Sequence, residues 1–134
     1  MLNMSFGSEG DSPLLRSVVQ NAAQHGVLMV GAAGNEATAA PMFPAAYESV
    51  LAVTAGDRRG LAPYANYGTF VDAMAPGTSV VRFNGNTFFA TGTSSASAYV
   101  AGFAAALRAQ PGSSVQSVFS VIQQRLPVAP LPGH

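Results

Sequence analysis

GVLMVGAAG, residues 26–34, is an unbroken apolar run of nine residues with no charge in it. Such a run is what a strand covered on both faces of a parallel sheet requires. The residues on either side extend that reading. Upstream, Ser12-Pro13 supplies an N-cap and a first-turn proline, LLRSVVQNAAQ carries apolar residues at helical spacing, and Gly26 is suited to a C-cap. This pattern predicts a helix over 13–25. Before it, the short apolar stretch MLNMSF at 1–6 runs into the loop GSEGDS, which predicts a buried strand ending at Gly7. Downstream, SVLAVTAGD at 49–57 is a further apolar strand candidate. Strand, helix, strand and a further strand imply a right-handed βαβ unit in a parallel sheet, hence an α/β fold.

From residue 58 the texture changes. RRGLAPYANYG reads as loop, FVDAMAPG as a short extended segment, and SVVRFNGNTFFAT as an antiparallel hairpin turning at Asn84-Gly85. These small strands lead into TGTSSASAYVAGFAAAL at 91–107. Its small side chains predict a buried helix over Ser95–Gln110, with Gly102 allowing close approach of a neighbour. Pro111-Gly112 breaks that helix, and SSVQSVFSVIQQRL forms another with Ser113 or Ser114 as cap. A Pro-rich tail, 127–134, completes what reads as one domain over 1–134.

Six basic and six acidic residues give no net charge, so nucleic acid and anionic membrane surfaces are not expected partners. No apolar run approaches the roughly 18 residues of a membrane span, and MLNMSFGSEG lacks a basic stretch followed by an apolar one. Without Cys there is no disulfide, thiolate chemistry or Cys-based metal site. No cofactor and no metal ligand set is called for. Charged residues make up 9% of the chain, against about 25% in an average domain. A surface so poor in charge is expected to be partly an interface.

Ser94 raises the chemical question. Serine at the start of a helix is ordinarily a cap, and Ser95 and Ser97 sit beside it. The same place presents unpaired N–H groups where an oxyanion would form. A nucleophilic serine also needs a base and an acid. The order Ser, acid, His is excluded because no Asp or Glu follows Ser94, and Gly-x-Ser-x-Gly fails because position 96 is Ala. Asp11 and His25 flank one helix and stand roughly 20 Å apart at about 1.5 Å rise per residue. His25 also enters its strand at the amino end, whereas parallel-sheet sites lie at carboxyl ends; the order His25, Asp72, Ser94 meets the same objection. His134 closes a Pro-rich tail with nothing to fix its position. The residues give a nucleophile without a base.

Taken together, LNMSFG, the helix, VLMVGAAGNE, FPAAYESVLAVTAGD, ANYGTFVDAMAPGT and TGTSSASAYVAGFAAAL resemble, in order and spacing, the C-terminal half of the subtilisin-like (subtilase) serine proteases. The resemblance spans nearly the whole chain. It implies a partial parallel sheet of a three-layer α/β fold with flanking helices and a small hairpin, and peptide-bond hydrolysis through an acyl-enzyme. Residue by residue, it makes Ser94 the nucleophile and Asn35 the side-chain donor to the oxyanion. Ser5, Phe6 and Gly7 match the segment that pairs with substrate backbone, Ala33 and Gly34 match one wall of the specificity pocket, and Glu36 falls at its rim. It further implies a cis Phe43–Pro44 bond.

Two positions depart from the family pattern. Ala98 replaces a usual Pro, and Met42 stands where a small residue floors the pocket, which predicts a shallow one. In the family the catalytic Asp and His come from segments that precede the part matched here. The chain is thus expected to be the serine-bearing half, with a polypeptide substrate and an extracytoplasmic setting. The missing N-terminal half, or a second copy, should pair with the strand at 1–6. A substrate-groove binding module without catalysis is the alternative.

Overall fold

The computed structural model of the protein describes residues 1–129; residues 130–134, and with them His134 and most of the tail, lie outside the described part. Strands β1 (Leu2–Met4), β2 (Met29–Ala32), β3 (Leu51–Asp57) and β5 (Ala73–Ala75) lie parallel in the order β1-β2-β3-β5. Leu2 pairs with Met29, Val30 with Leu51 and Val53 with Ala73. A two-residue strand, β4 (Gly60–Leu61), turns back antiparallel on the far end of β3. The apolar run at 26–34 therefore contains an inner strand, and β2 is buried along its whole length.

Helix α1 (Pro13–Gln24) starts where its sequence says it should. Ser12 is extended and its Oγ accepts the Leu15 N–H at 3.4 Å, while Pro13 occupies the first turn. It stops at His25, and Gly26 follows with φ 72°. The two faces of the sheet gather separate cores. Met4 and Met29 pack with Val19 of α1, Tyr47 and Val50. Leu28, Val30, Leu51 and Val53 pack on the other side against Ala96, Val100 and Ala104 of α2 (Thr93–Arg108) and Val118 and Ile122 of α3 (Val115–Arg125). The result is three layers: α1, the sheet, then α2 with α3. Each fully buried Leu or Ile on these faces contributes about 1.5–3 kcal/mol.

Several expectations change. β1 is shorter than 1–7, pairing only over Leu2–Met4. The segment 70–77 is extended as expected and also joins the main sheet: Ala73 and Ala75 bury their methyls beside β3, and β5 runs parallel to it. Helix α2 begins at Thr93, two residues earlier than predicted, because the backbone of Gly92 occupies the cap position with no side-chain cap bond. It is buried on one face only: Thr93, Ala96, Ser97, Val100, Ala101 and Ala104 are covered, while Ala98, Tyr99 and Gly102 are exposed. Nothing lies within 4 Å of where a Cβ on Gly102 would stand, so that glycine mediates no close approach.

The hairpin β6 (Thr78–Phe83) and β7 (Asn86–Thr91) forms as predicted. Asn84 (φ 48°) and Gly85 (φ 78°) are both left-handed, as a two-residue turn matching strand twist demands. Ser114 caps α3 in a capping box with Ser117. The Phe43–Pro44 bond is cis.

Candidate active site

The carboxyl end of β2 and the N-terminus of α2 meet at one small cavity of about 100 Å³. Ser5, Phe6, Gly7, Gly34, Asn35, Glu36 and Ser94 all line it, together with Ala32, Met42 and Thr93. Ala33 does not; it is fully buried one layer behind, donating its N–H to Val53 O at 2.9 Å, and Ala32 lines the wall in its place. Larger hollows exist, one of about 850 Å³ between Met74, Tyr99 and Leu126, but none of them combines a serine with a helix N-terminus. Size does not decide the site here.

Ser94 is the second residue of α2 and is half-buried. Its neighbours are tied elsewhere: Ser95 Oγ donates to Ala90 O at 3.0 Å, and Ser97 Oγ donates to Ser94 O at 3.0 Å and lies 3.2 Å from Ser5 Oγ. In the first turn, Thr93 N–H goes to Asn35 Oδ1, while the N–H groups of Ser95 and Ala96 go to Gly92 O. Ser94 N–H is left without a partner among the described residues, at the positive end of the helix.

Asn35 is oriented by chemistry that admits one solution. Thr93 N–H reaches its Oδ1 at 2.8 Å, and a backbone N–H only donates, so that atom is the oxygen. Thr93 Oγ1 adds a second bond to Oδ1 at 3.1 Å and accepts Gly34 N–H at 3.1 Å. With the oxygen held inward, the Nδ2 amide faces outward as a donor. Gly92 suits the cap position through its backbone: its φ is 147°, a conformation that other residues rarely adopt, while a Cβ there would stand in ordinary contact with the Asn35 amide at 3.5 Å. Ser94 N–H and the Asn35 amide thus belong to residues that line the same cavity, and two such donors could together stabilise charge developing on a carbonyl oxygen.

The rim and floor follow from local structure. Glu36 is exposed, yet its Oε2 accepts Asn35 N–H at 2.8 Å and Asn66 Nδ2 at 3.0 Å. Ser8 and Phe43 exchange backbone bonds of 2.9 and 2.8 Å, which fixes the adjoining Met42 beneath Gly7. Met42 is buried and limits the depth of the cavity. Thr93 and Asn66 had no sequence sign of their own; Thr93 sits inside Gly-Thr-Ser, and Asn66 lies in a segment that reads as loop.

His25 is placed at the end of α1, its Nδ1 2.8 Å from Asn21 O, outside this cavity. Asp72 is also elsewhere, accepting from Ala52 N–H at 2.8 Å and Gln123 Nε2 at 3.1 Å, with burial pushing its pKa up. Among the described residues, no group of His, Asp and Glu could hold a metal ion.

A serine at a helix N-terminus with a side-chain amide beside it is an arrangement that serine hydrolases use, and comparison with known proteins narrows the class. The Subtilase family (Peptidase_S8) matches residues 1–126. The chain is 40% identical over 119 residues to the thermophilic serine proteinase of Bacillus sp. (strain AK1), covering 87% of this chain and 30% of that protein. It is 39% identical over 112 residues to the minor extracellular protease Epr of Bacillus subtilis (strain 168), covering 81% of this chain and 17% of the relative. Among solved structures, a cold-adapted subtilisin-like serine proteinase superposes with a TM-score of 0.81 at 34% identity, over 92% of this chain and 47% of the other. The chain belongs to the subtilase family of serine proteases. It spans under a third of these curated relatives and about half of the solved chain.

Proposed function

We propose that residues 1–134 are the nucleophile and oxyanion half of a subtilisin-like serine endopeptidase catalytic domain. Ser94 Oγ attacks the scissile carbonyl of a polypeptide. The oxyanion accepts from Ser94 N–H and Asn35 Nδ2, the amine leaves with a proton from the base, and water then releases the acyl group. Ser5, Phe6 and Gly7 pair with substrate backbone, and Ala32, Gly34 and Glu36 form one side of the specificity pocket. The observation that carries this reading is the orientation of Asn35: two bonds from Thr93 hold its oxygen so that its amide points out beside Ser94.

Neither His25 nor Asp72 serves Ser94, so the base and its orienting acid come from another polypeptide segment. Without that segment the chain turns over no peptide. One relative is named extracellular, which supports action outside the cell; no described helix is long and apolar enough to cross a membrane.

The test adds a chain supplying Asp and His to the purified protein and follows cleavage of a chromogenic peptide. Turnover should appear, and Asn35→Ala should lower it by about 10²–10³, the magnitude known for the oxyanion asparagine of subtilisin. Tight peptide binding with no turnover in any mixture would favour a substrate-groove binding module instead.

A further inference from the structure

Asn66 is fully buried in a loop between strands, where a polar side chain is retained only if all its hydrogen-bonding capacity is met. Every side-chain bond it makes goes to the loop that carries Asn35. Its Oδ1 accepts Glu36 N–H at 2.8 Å and Thr38 N–H at 3.3 Å. Its Nδ2 donates to Ala33 O and to Glu36 Oε2, both at 3.0 Å. Its backbone N–H adds a bond to Gly34 O, also at 3.0 Å. These bonds fall on residues 33, 34, 36 and 38, bracketing Asn35 without touching its side chain. Asn66 is in turn held from the core, because Thr54 of β3 donates its hydroxyl to Asn66 O.

Gly34 shows how close the loop and the amide stand. Its φ is 107°, and a Cβ there would lie 2.3 Å from Asn66 Nδ2. A loop that only needed its polar groups satisfied would find water at this exposed rim. Here one buried amide binds both sides of the oxyanion donor and anchors them to an inner strand.

We infer that Asn66 is a positioning residue for Asn35: it fixes the backbone on both sides of that residue, and so the place from which the Asn35 amide donates. The inference rests on the endopeptidase reading above for its consequence in turnover, and on geometry alone for its consequence in the chain. Asn66 touches neither Ser94 nor the groove, so its effect passes through Gly34 and Glu36 to Asn35, and from there to the Asn35–Thr93 bond.

That final link gives a direct readout. Amide hydrogen exchange is measured on the 134-residue chain as wild type, Asn66→Ala and Asn66→Asp. The Ala variant removes all side-chain bonds. Asp keeps the shape and an acceptor oxygen while cutting the donors from two to at most one, and serves if the Ala variant does not fold. Exchange at Thr93 N–H should accelerate roughly 10- to 100-fold, the loss of one to two buried hydrogen bonds, while Val53 and Ala55 in β3 keep their wild-type rates. Uniform acceleration at all these sites means that Asn66 stabilises the fold and positions nothing, which overturns the inference.

In the enzyme assembled with an Asp- and His-bearing chain, the same variants should lower kcat about 10- to 100-fold and leave KM within about twofold. Unchanged turnover in Asn35→Ala would sink the endopeptidase reading and leave the exchange result standing. A drop in Asn35→Ala together with wild-type kcat and wild-type Thr93 exchange in the Asn66 variants would sink this inference alone.

Discussion

The loop after β2 and the β6–β7 hairpin both attach to the N-terminus of α2, and they are finished to different degrees. The loop is closed: Asn66, Thr93 and Glu36 pair its backbone and side-chain polar groups within the chain. The hairpin is open. Val80 is 63% exposed, Phe83 68% and Phe89 77%, and Val80 faces Phe89 across the ladder. Its links to α2 are few, namely Gly92 N–H to Gly77 O at 2.8 Å and Ser95 Oγ to Ala90 O. An apolar two-stranded ribbon is marginal in water unless something covers it. The edge strand β1, with Leu2 and Met1 about half exposed, is in the same condition. The difference teaches that the loop carrying Asn35 is held by bonds within this chain, whereas the hairpin and the β1 edge leave apolar surface open.

The largest expected effect is on association. The purified chain should self-associate, or bind a complementing half, through residues 1–6. Leu2→Lys, which places a charge on the exposed edge, should weaken that association about 10- to 100-fold by light scattering. If Val80→Thr with Phe89→Thr weakens it and Leu2→Lys does not, the hairpin is the contact and the edge strand is not. A monodisperse monomer for wild type would remove the open side of the comparison.

Two glycines sharpen the contrast in stability. Gly34 and Gly85 both have positive φ, but a Cβ on Gly34 meets Asn66 and Glu36 at 2.3 and 2.6 Å, while a Cβ on Gly85 meets nothing within 4 Å. Gly85→Ala should cost about 1–2 kcal/mol from backbone conformation alone. Gly34→Ala should cost about 1–3 kcal/mol more, as a buried polar clamp is forced apart. Thermal melting of the two variants side by side gives the difference; equal losses would mean that the loop is not held as tightly as its hydrogen bonds imply.

Glu36 should act on specificity in the assembled enzyme. One carboxylate oxygen is bonded inward, and the group as a whole sits exposed at the rim, so it should favour a basic residue on the acyl side of the cleaved bond by only a few-fold. Peptide profiling of Glu36→Gln should show that preference shrink. An unchanged profile would count against this role.

The smallest effect is a titration at the N-terminus of α1. Hydrogen bonds from Arg16 and then Tyr47 hold the Asp11 carboxyl below its ordinary value of 3.8. A depressed carboxyl contributes stability that is fully present above 3.8 and lost as pH falls through the lower folded value. NMR titration should place Asp11 below 3.8 in the wild type and return it towards 3.8 in Arg16→Gln. A midpoint unmoved by that substitution would show the ion pair to be idle.

Much of the architecture was legible because the signals are local. Ser12-Pro13 and Gly26 mark the ends of α1, Asn84-Gly85 marks the hairpin turn, and the apolar runs at 26–34 and 49–57 mark inner strands. The start of α2 was misread because a glycine backbone, not a serine side chain, takes the cap position, and that leaves Ser94 free of capping duty. β5 was read as an extended segment because Ala73-Met-Ala is too small-sided to declare a strand without its neighbour. At the site, Ser94 drew attention from its place at the start of a helix, but Asn35 was found only through resemblance, since two residues 59 positions apart carry no periodicity. Asn66 was invisible for a plainer reason: its partners are mostly backbone groups about 30 positions away, and any residue type supplies those.

The central claim is that Ser94 is positioned but not activated within this chain. A fluorophosphonate probe reports activation directly, because phosphonylation requires a base to take the serine proton. The purified chain alone should label negligibly. Adding a chain that supplies Asp and His should bring rapid labelling that Ser94→Ala abolishes. Rapid labelling of Ser94 in the isolated chain would contradict the account, since among the described residues no base is placed to accept that proton.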